Sequence, residues 1–295
     1  MAYRTLTAAD ERQFLEQGFV VIRDCFTRDT AREWIDFAWK RMGLDRNDPA
    51  AWKDARLHLP SMNRVAIAEF APRAWGAIVD LLRDESDIVD GSRYWSDGFI
   101  VNFNIGADKP FETPNQDRGG WHKDGDWFRH FLDSPEQALL SIVVWQDIGP
   151  RGGATYIAPD SIKLVAEALR VKPEGEVTHP FGKLIKQCTQ FVEVAGRAGD
   201  VVLMNPFMLH TASANHSGIA RFITNPAVSL TTPFQFNRAN PADFSLVERK
   251  TLHDLGLERL DFKIAHERHR LVPERERIQA QMRAEQEARL KAATK

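Results

Sequence analysis

The stretch GGWHKDGDWFRHF, residues 119–131, holds the densest group of side chains able to bind a metal. His122 and Asp124 stand two apart. In an extended strand, side chains at i and i+2 point to the same face, so an imidazole and a carboxylate there can reach one ion together. His210 is the candidate third ligand. It ends the apolar run DVVLMNPFMLH, where a polar ring without a task is costly to bury. Two histidines and one carboxylate on Fe(II) leave open positions for a bidentate keto acid and O2. Taken singly, an HxD pair more often marks a surface turn, and a histidine in an apolar run is more often a hydrogen-bonded core residue. Asp126 rivals Asp124, because HKDGD puts both on one face if the strand runs straight. Gly125 favours a bend there, so the shorter spacing is preferred.

After His210 the polar segment TASANHSGIAR leads into a strand that starts near Arg221. If these two strands pair as a hairpin, Arg221 returns beside His210. Its planar fork then suits the distal carboxylate of a keto acid chelated at the metal. A surface arginine near a turn is the commoner fate of such a residue. Trp121, Trp127, Phe128 and Phe131 surround the metal motif and could line a substrate pocket or simply pack the core. Asn102 and Asn104 alternate with apolar residues in a strand that could flank it. The other histidines, at 58, 130, 179, 216, 253, 266 and 269, have no matching spacing and read as surface or structural.

The elements that must position these residues change in kind along the chain. AADERQFLEQGFVVIRDCFTRDTAREWIDFAWKRMG reads as helix, short strand and helix, with Gly18 ending the first helix and Thr27 capping the second. Residues 45–62 are rich in Pro, Asp and Asn and read as loop, and residues 65–84 as helix. From Tyr94 the pattern turns to strands: YWSDGFIVNFNIG, then runs at 139–148, 154–159, 191–195, 200–210 and 221–230. Short strands after helices, without a βαβ rhythm, suggest a sandwich or barrel. From Pro273 the chain is strongly charged and reads as a solvated helix serving packing or solubility, with an oligomer contact as the alternative.

Length and composition bound the answer. With 295 residues, 43% hydrophobic and 27% charged, the chain suits one globular domain. The expected organisation is a domain over 1–272, with a helical part at 1–90 and a β core at 91–235, followed by the charged helix 273–295. A net charge of -2 from 39 basic and 41 acidic side chains supplies no general field for nucleic acid or anionic lipid. The N-terminal residues carry no apolar export segment, and no run approaches a membrane span, so a cytoplasmic protein is expected. Cys25 and Cys188, the only cysteines, are far apart and read as two buried thiols.

The HxD at 122–124, a histidine 86 residues beyond Asp124 and an arginine eleven further on resemble the phytanoyl-CoA dioxygenase family of Fe(II)/2-oxoglutarate oxygenases. FLEQGFVVIRDCF resembles that family's N-terminal helix and strand, and GGATYIAPDSIK its segment of the form NGATRxxPGSHK. The resemblance implies a mainly β fold with flanking helices: a double-stranded β-helix, or cupin-like jelly-roll barrel. It implies Fe(II) on His122, Asp124 and His210, the C5 carboxylate of 2-oxoglutarate on Arg221, and help from Thr155. The family often has a hydroxyl two residues after the distal histidine; here that residue is Ala212, so Ser213 or Thr211 is expected to stand in. PDSIK in place of PGSHK affects a turn more than the chemistry.

The implied reaction consumes O2 and 2-oxoglutarate, releases succinate and CO2, and hydroxylates an unactivated C–H bond. Desaturation, epoxidation and ring formation remain open, while a carboxylate at 124 argues against halogenation. The alternatives are a cupin-like metal enzyme that does not use 2-oxoglutarate, or a catalytically silent barrel acting as a binding module. The expected partner is a small molecule, with secondary metabolites the foremost class; oligomeric state is not set by the sequence.

Overall fold

The computed structural model describes residues 3–177 and 180–293. The chain opens with α1 (Ala8–Gln17), β1 (Phe19–Ile22) and α2 (Arg28–Met42). Thr7 and Asp10 form a reciprocal capping box on α1, which ends at Gly18 in the left-handed region at φ 72°. The Thr27 hydroxyl accepts the Thr30 N–H at 3.2 Å and caps α2.

Residues 45–62 are not all loop. They contain β2 (Arg56–His58), a strand too short to announce itself by alternation. The stretch expected as one helix is β3 (Arg64–Ala66), α3 (Ile67–Phe70) and α4 (Pro72–Leu82), broken where Pro72 begins a new helix. β4 (Tyr94–Ser96) pairs with β3, and β5 (Ile100–Asn102) with β2.

The central strands are β6 (Leu139–Val144), β7 (Thr155–Ala158), β8 (Val192–Val194), β9 (Val201–Met204), β10 (Leu209–Ala212), β11 (Arg221–Thr224) and β12 (Ala227–Val228), with α5 (Ser161–Arg170) after β7. The major sheet runs β1-β9-β6-β11-β5-β2, with β12 also on β6, and every pairing is antiparallel. The minor sheet is β10-β7-β8, extended by the His122 segment, which bridges to His210 beside β10. Two facing antiparallel sheets joined by strands that cross between them make a jelly-roll, the double-stranded β-helix.

One apolar run feeds both sheets. In DVVLMNPFMLH, β9 lies in the major sheet and β10 in the minor one. Between them Asn205 accepts the Phe207 N–H on its side-chain oxygen at 2.9 Å, and its carbonyl accepts the Met208 N–H at 3.1 Å. Pro206 has no N–H to offer a ladder, so the strand stops and the chain changes sheet.

Strand alternation then sorts the major sheet's faces. Phe222 packs outward on Trp39, with ring centroids 5.5 Å apart, while its neighbours Arg221 and Ile223 line the interior cavity. Two further helices follow, α6 (Leu246–Leu255) and α7 (Glu274–Ala293). α7 packs along α2, where Arg289 donates to the Arg41 carbonyl at 2.6 Å, and Gln286 is buried. Among the described residues no helix is long and apolar enough to cross a membrane. Cys25 and Cys188 are both buried and free.

Candidate metal and cosubstrate site

The minor sheet sets two imidazoles side by side. The His122 N–H donates to the His210 carbonyl and the His210 N–H to the His122 carbonyl, both at 3.0 Å. This reciprocal pair fixes both side chains on the same face, and their rings lie 4.4 Å apart. Asp124, two residues on, brings Oδ1 to 3.4 Å from His122 Nε2 and 3.5 Å from His210 Nε2. One ligand atom from each of the three lies within 4.8 Å of the others.

The partners of the remaining atoms aim these groups inward. His122 Nδ1 donates to the Gly120 carbonyl at 2.7 Å, and His210 Nδ1 to the Met208 carbonyl at 3.2 Å, which leaves each Nε2 lone pair for the centre. Asn225 donates to Asp124 Oδ2 at 2.9 Å, leaving Oδ1 for the same point. Burial by itself would raise the Asp124 carboxyl; the charge and hydrogen bonds of His210 and His122 outweigh it and hold the group well below the usual carboxylate range. Burial likewise opposes charge on His122, yet Asp124 raises that imidazole. The arrangement stabilises positive charge at its centre, and an N,N,O donor set is borderline in softness and suits Fe(II).

Gly125 makes the bend that separates the two aspartates. At φ 117°, a Cβ there would fall 2.5 Å from the Phe128 ring. Asp126 is turned away and takes a two-point ion pair with Arg275 of α7, both contacts 2.8 Å, so it does not compete for the centre.

Arg221 reaches the same cavity by a different route from the one expected. β10 and β11 are not a hairpin: β10 pairs with β7, and β11 with β5 and β6. Arg221 therefore faces His210 from the opposite sheet. Its Nε donates to the Gly153 carbonyl at 2.8 Å and its Nη1 contacts the Ile100 carbonyl at 3.3 Å. Gly153 sits at φ 77°, and a Cβ there would fall 2.6 Å from the Asn102 amide. Burial pushes the Arg221 guanidinium down to about 9, with the charge of Arg56 adding to the effect. Among the described residues no carboxylate pairs with it, and a buried cation without an anion is a place for a ligand's anion.

Thr155 lines the cavity. Ser213 does not: it is fully buried with its hydroxyl 3.4 Å from the Ala214 carbonyl, while Ala212 and Thr211 line the wall instead. Ala212 shares the face of His210, whereas Ser213 lies just past the end of β10 with its side chain buried. Trp127 also lines the cavity, whereas Trp121 packs on Phe191 and Phe128 and Phe131 are core. Asn102 has a structural task, donating to the Ser213 carbonyl and accepting the Ile105 N–H, both at 3.1 Å.

The cavity holds about 690 Å³ and has walls that sequence reasoning missed. His58 lies in it; burial, reinforced by Arg275 and Arg56, pushes its imidazole down to about 4, so it is neutral near pH 7. Arg56 stands beside it, two residues back on β2, and α7 contributes Arg275 and Gln279. An R-x-H alternation was present at 56–58, but a three-residue strand inside a loop-like composition gave it no context. Lys123, between the two ligands, is buried with its ammonium on His130 Nδ1 at 3.0 Å, Gln137 Oε1 at 3.2 Å and the Asp124 carbonyl at 3.2 Å. His179 lies outside the described residues.

The family model of phytanoyl-CoA dioxygenase (PhyH) matches residues 14–223. No curated protein matches the chain. Solved structures are similar at low identity. EctD from S. alaskensis with bound Fe is 18% identical, covering 90% of this chain and 90% of that one, with a TM-score of 0.44. HygX from Streptomyces hygroscopicus, with nickel and 2-oxoglutarate bound, is 15% identical over 78% and 90%, with a TM-score of 0.46. SnoK, a non-heme alpha-ketoglutarate-dependent carbocyclase from nogalamycin biosynthesis, is 15% identical over 78% and 87%, with a TM-score of 0.41. The assignment rests on the family match, which spans more than two thirds of the chain: the protein belongs to the phytanoyl-CoA dioxygenase family, oxygenases that work with Fe(II), 2-oxoglutarate and O2.

Proposed function

We propose that the protein hydroxylates an unactivated C–H bond of a small molecule, with Fe(II) held by His122, Asp124 and His210. In this reading 2-oxoglutarate is anchored by Arg221, with Thr155 beside it. The supporting observation is the convergence of two Nε2 lone pairs, one Asp124 oxygen and an unpaired buried guanidinium on a single cavity. The chemistry iron supplies there is O2 activation coupled to decarboxylation of 2-oxoglutarate, so that RH, O2 and 2-oxoglutarate become ROH, succinate and CO2.

The chain's own residues do the remaining work. The Gly120 and Met208 carbonyls and the Asn225 amide hold the three ligands in one orientation, which lowers the cost of ordering them at the moment of binding. Arg221, approaching from the opposite sheet, orients a dicarboxylate across the space between the sheets. Leu140, Ile142 and Ile223 keep that space apolar and limit water. A cavity of about 690 Å³ suits a small molecule, and a secondary metabolite fits the class. Two buried, separated thiols support a reducing, cytoplasmic setting.

The test is anaerobic reconstitution with Fe(II) and 2-oxoglutarate, followed by a substrate screen read as succinate release and a product mass gain of one oxygen atom. His210→Ala should remove Fe(II) binding and both signals. Retention of either would sink the ligand assignment, and a product of unchanged oxygen content would replace hydroxylation with desaturation, ring closure or epimerisation.

A further inference from the structure

The charges around the cavity are unevenly matched. Three arginines line it, Arg56, Arg221 and Arg275, against two carboxylates, Asp124 and Asp126. Fe(II) and the 2-oxoglutarate dianion are equal and opposite, so loading both leaves the positive surplus in place. Arg275 is already joined to Asp126 by two contacts. The Lys123 ammonium is buried on three acceptors. Arg221 is the residue read above as the cosubstrate anchor. Arg56 remains: among the described residues its guanidinium has no ion pair, side-chain hydrogen bond or ring contact, although its charge is felt at Arg221, His58 and His122.

Its placement follows from strand register. Arg56 on β2 and Arg221 on β11 are both partnered with Asn102 on β5, one from each side. The three residues therefore form a row across the sheet, with the two arginine backbones about 9 to 10 Å apart at the usual strand spacing. β2 is the edge strand, so Arg56 is exposed where the cavity opens, whereas Arg221 is sealed inside. His58, on the same face of β2, adds a neutral imidazole beside it. The lining also carries apolar side chains, Leu59, Trp127, Leu140, Ile142 and Ile223, among polar ones such as Ser96 and Thr224.

We propose that the oxidised substrate is a small organic acid with an apolar body, whose anionic group pairs with Arg56 at the edge of the major sheet while the body reaches inward toward the metal centre. This rests on the reading of the cavity as an Fe(II)/2-oxoglutarate site. A free guanidinium at the rim draws an anion from solvent and fixes one end of it; the apolar side chains of the lining accommodate the rest. Arginine also discriminates, because a neutral analogue leaves the fork unpaired.

The experiment uses the full chain loaded anaerobically with Fe(II) and 2-oxoglutarate, with cosubstrate binding measured first. A wild-type protein that fails to bind 2-oxoglutarate defeats the parent reading at that step, separately from this one. Octanoate, octane-1-sulfonate and 1-octanol are then titrated by calorimetry. The wild type should bind both anions about tenfold or more tighter than the alcohol, the scale of a charge-assisted hydrogen bond. Arg56→Gln should erase that margin while its affinities for octanol and 2-oxoglutarate stay at wild-type values, and Arg56→Lys should restore part of it. Three outcomes overturn the proposal: no preference for the anions in the wild type, an unchanged preference in Arg56→Gln, or a loss of 2-oxoglutarate affinity in Arg56→Gln, which would make Arg56 a cosubstrate residue.

Discussion

Replacing Arg221 with Met separates the two energies that meet at this residue. In the ligand-free protein the guanidinium is 3% exposed, held by two backbone carbonyls and matched by no carboxylate among the described residues. Keeping an uncompensated charge there is costly, so an apolar side chain of similar length should leave the ligand-free stability unchanged or raise it. With 2-oxoglutarate the sign reverses. Removing one partner of a buried, hydrogen-bonded ion pair costs about 3 to 5 kcal/mol, or roughly two to three and a half orders of magnitude in affinity. The assay has two arms. Anaerobic titration of the Fe(II) protein with 2-oxoglutarate should show that loss directly. Thermal unfolding should show the wild type gaining about 2.7 kcal/mol at a hundred times its dissociation constant, while Arg221→Met gains almost nothing at that concentration. An Arg221→Met protein that binds 2-oxoglutarate within threefold of the wild type would refute the assignment of Arg221 to the cosubstrate. A variant that unfolds well below the wild type without ligand would refute the claim that the charge is uncompensated.

Other consequences are smaller and as direct. Asn225→Ala frees Asp124 Oδ2 and should weaken Fe(II) binding by about 10- to 100-fold in a competition titration, with the far-UV spectrum unchanged. Arg275→Gln breaks the two-point pair with Asp126, but both side chains are more than a third exposed, at 38% and 37%, so urea unfolding should shift by less than about 1 kcal/mol. Burial, with carboxylates nearby, pushes the Cys25 and Cys188 thiols up to about 12 each. At pH 8 the thiolate fraction is then roughly one part in ten thousand, so a disulfide-exchange reagent should label neither thiol in the folded protein and both after denaturation.

The site was legible to different depths. The HxD spacing alone put His122 and Asp124 on one face, and the special conformation of Gly125 removed Asp126 as a rival. His210 was readable because an imidazole closing an apolar run needs a partner. Its pairing was not: that run divides at Asn205 and Pro206 between two sheets, and the His122 backbone lies beside His210. Arg221 was singled out by residue type; the structure brings it to the cavity from the opposite sheet, not through a hairpin with β10. Ser213 lies just past the end of β10 and is buried outside the cavity lining, a placement its spacing from His210 did not reveal.

Local chemistry and periodicity, then, pointed to the candidate donor atoms, the caps at Thr27 and Gly18, and the alternating faces of the strands, since these depend on neighbours a few residues apart. The tertiary structure alone decided that β10 and β11 face each other across the cavity, that Arg56 and His58 enter it from a three-residue edge strand, and that α7 returns from the end of the chain to close one side with Arg275. Those juxtapositions arise from strand pairing and helix packing between segments that are distant in the chain, and no short-range pattern encodes which distant segment a strand or helix will meet.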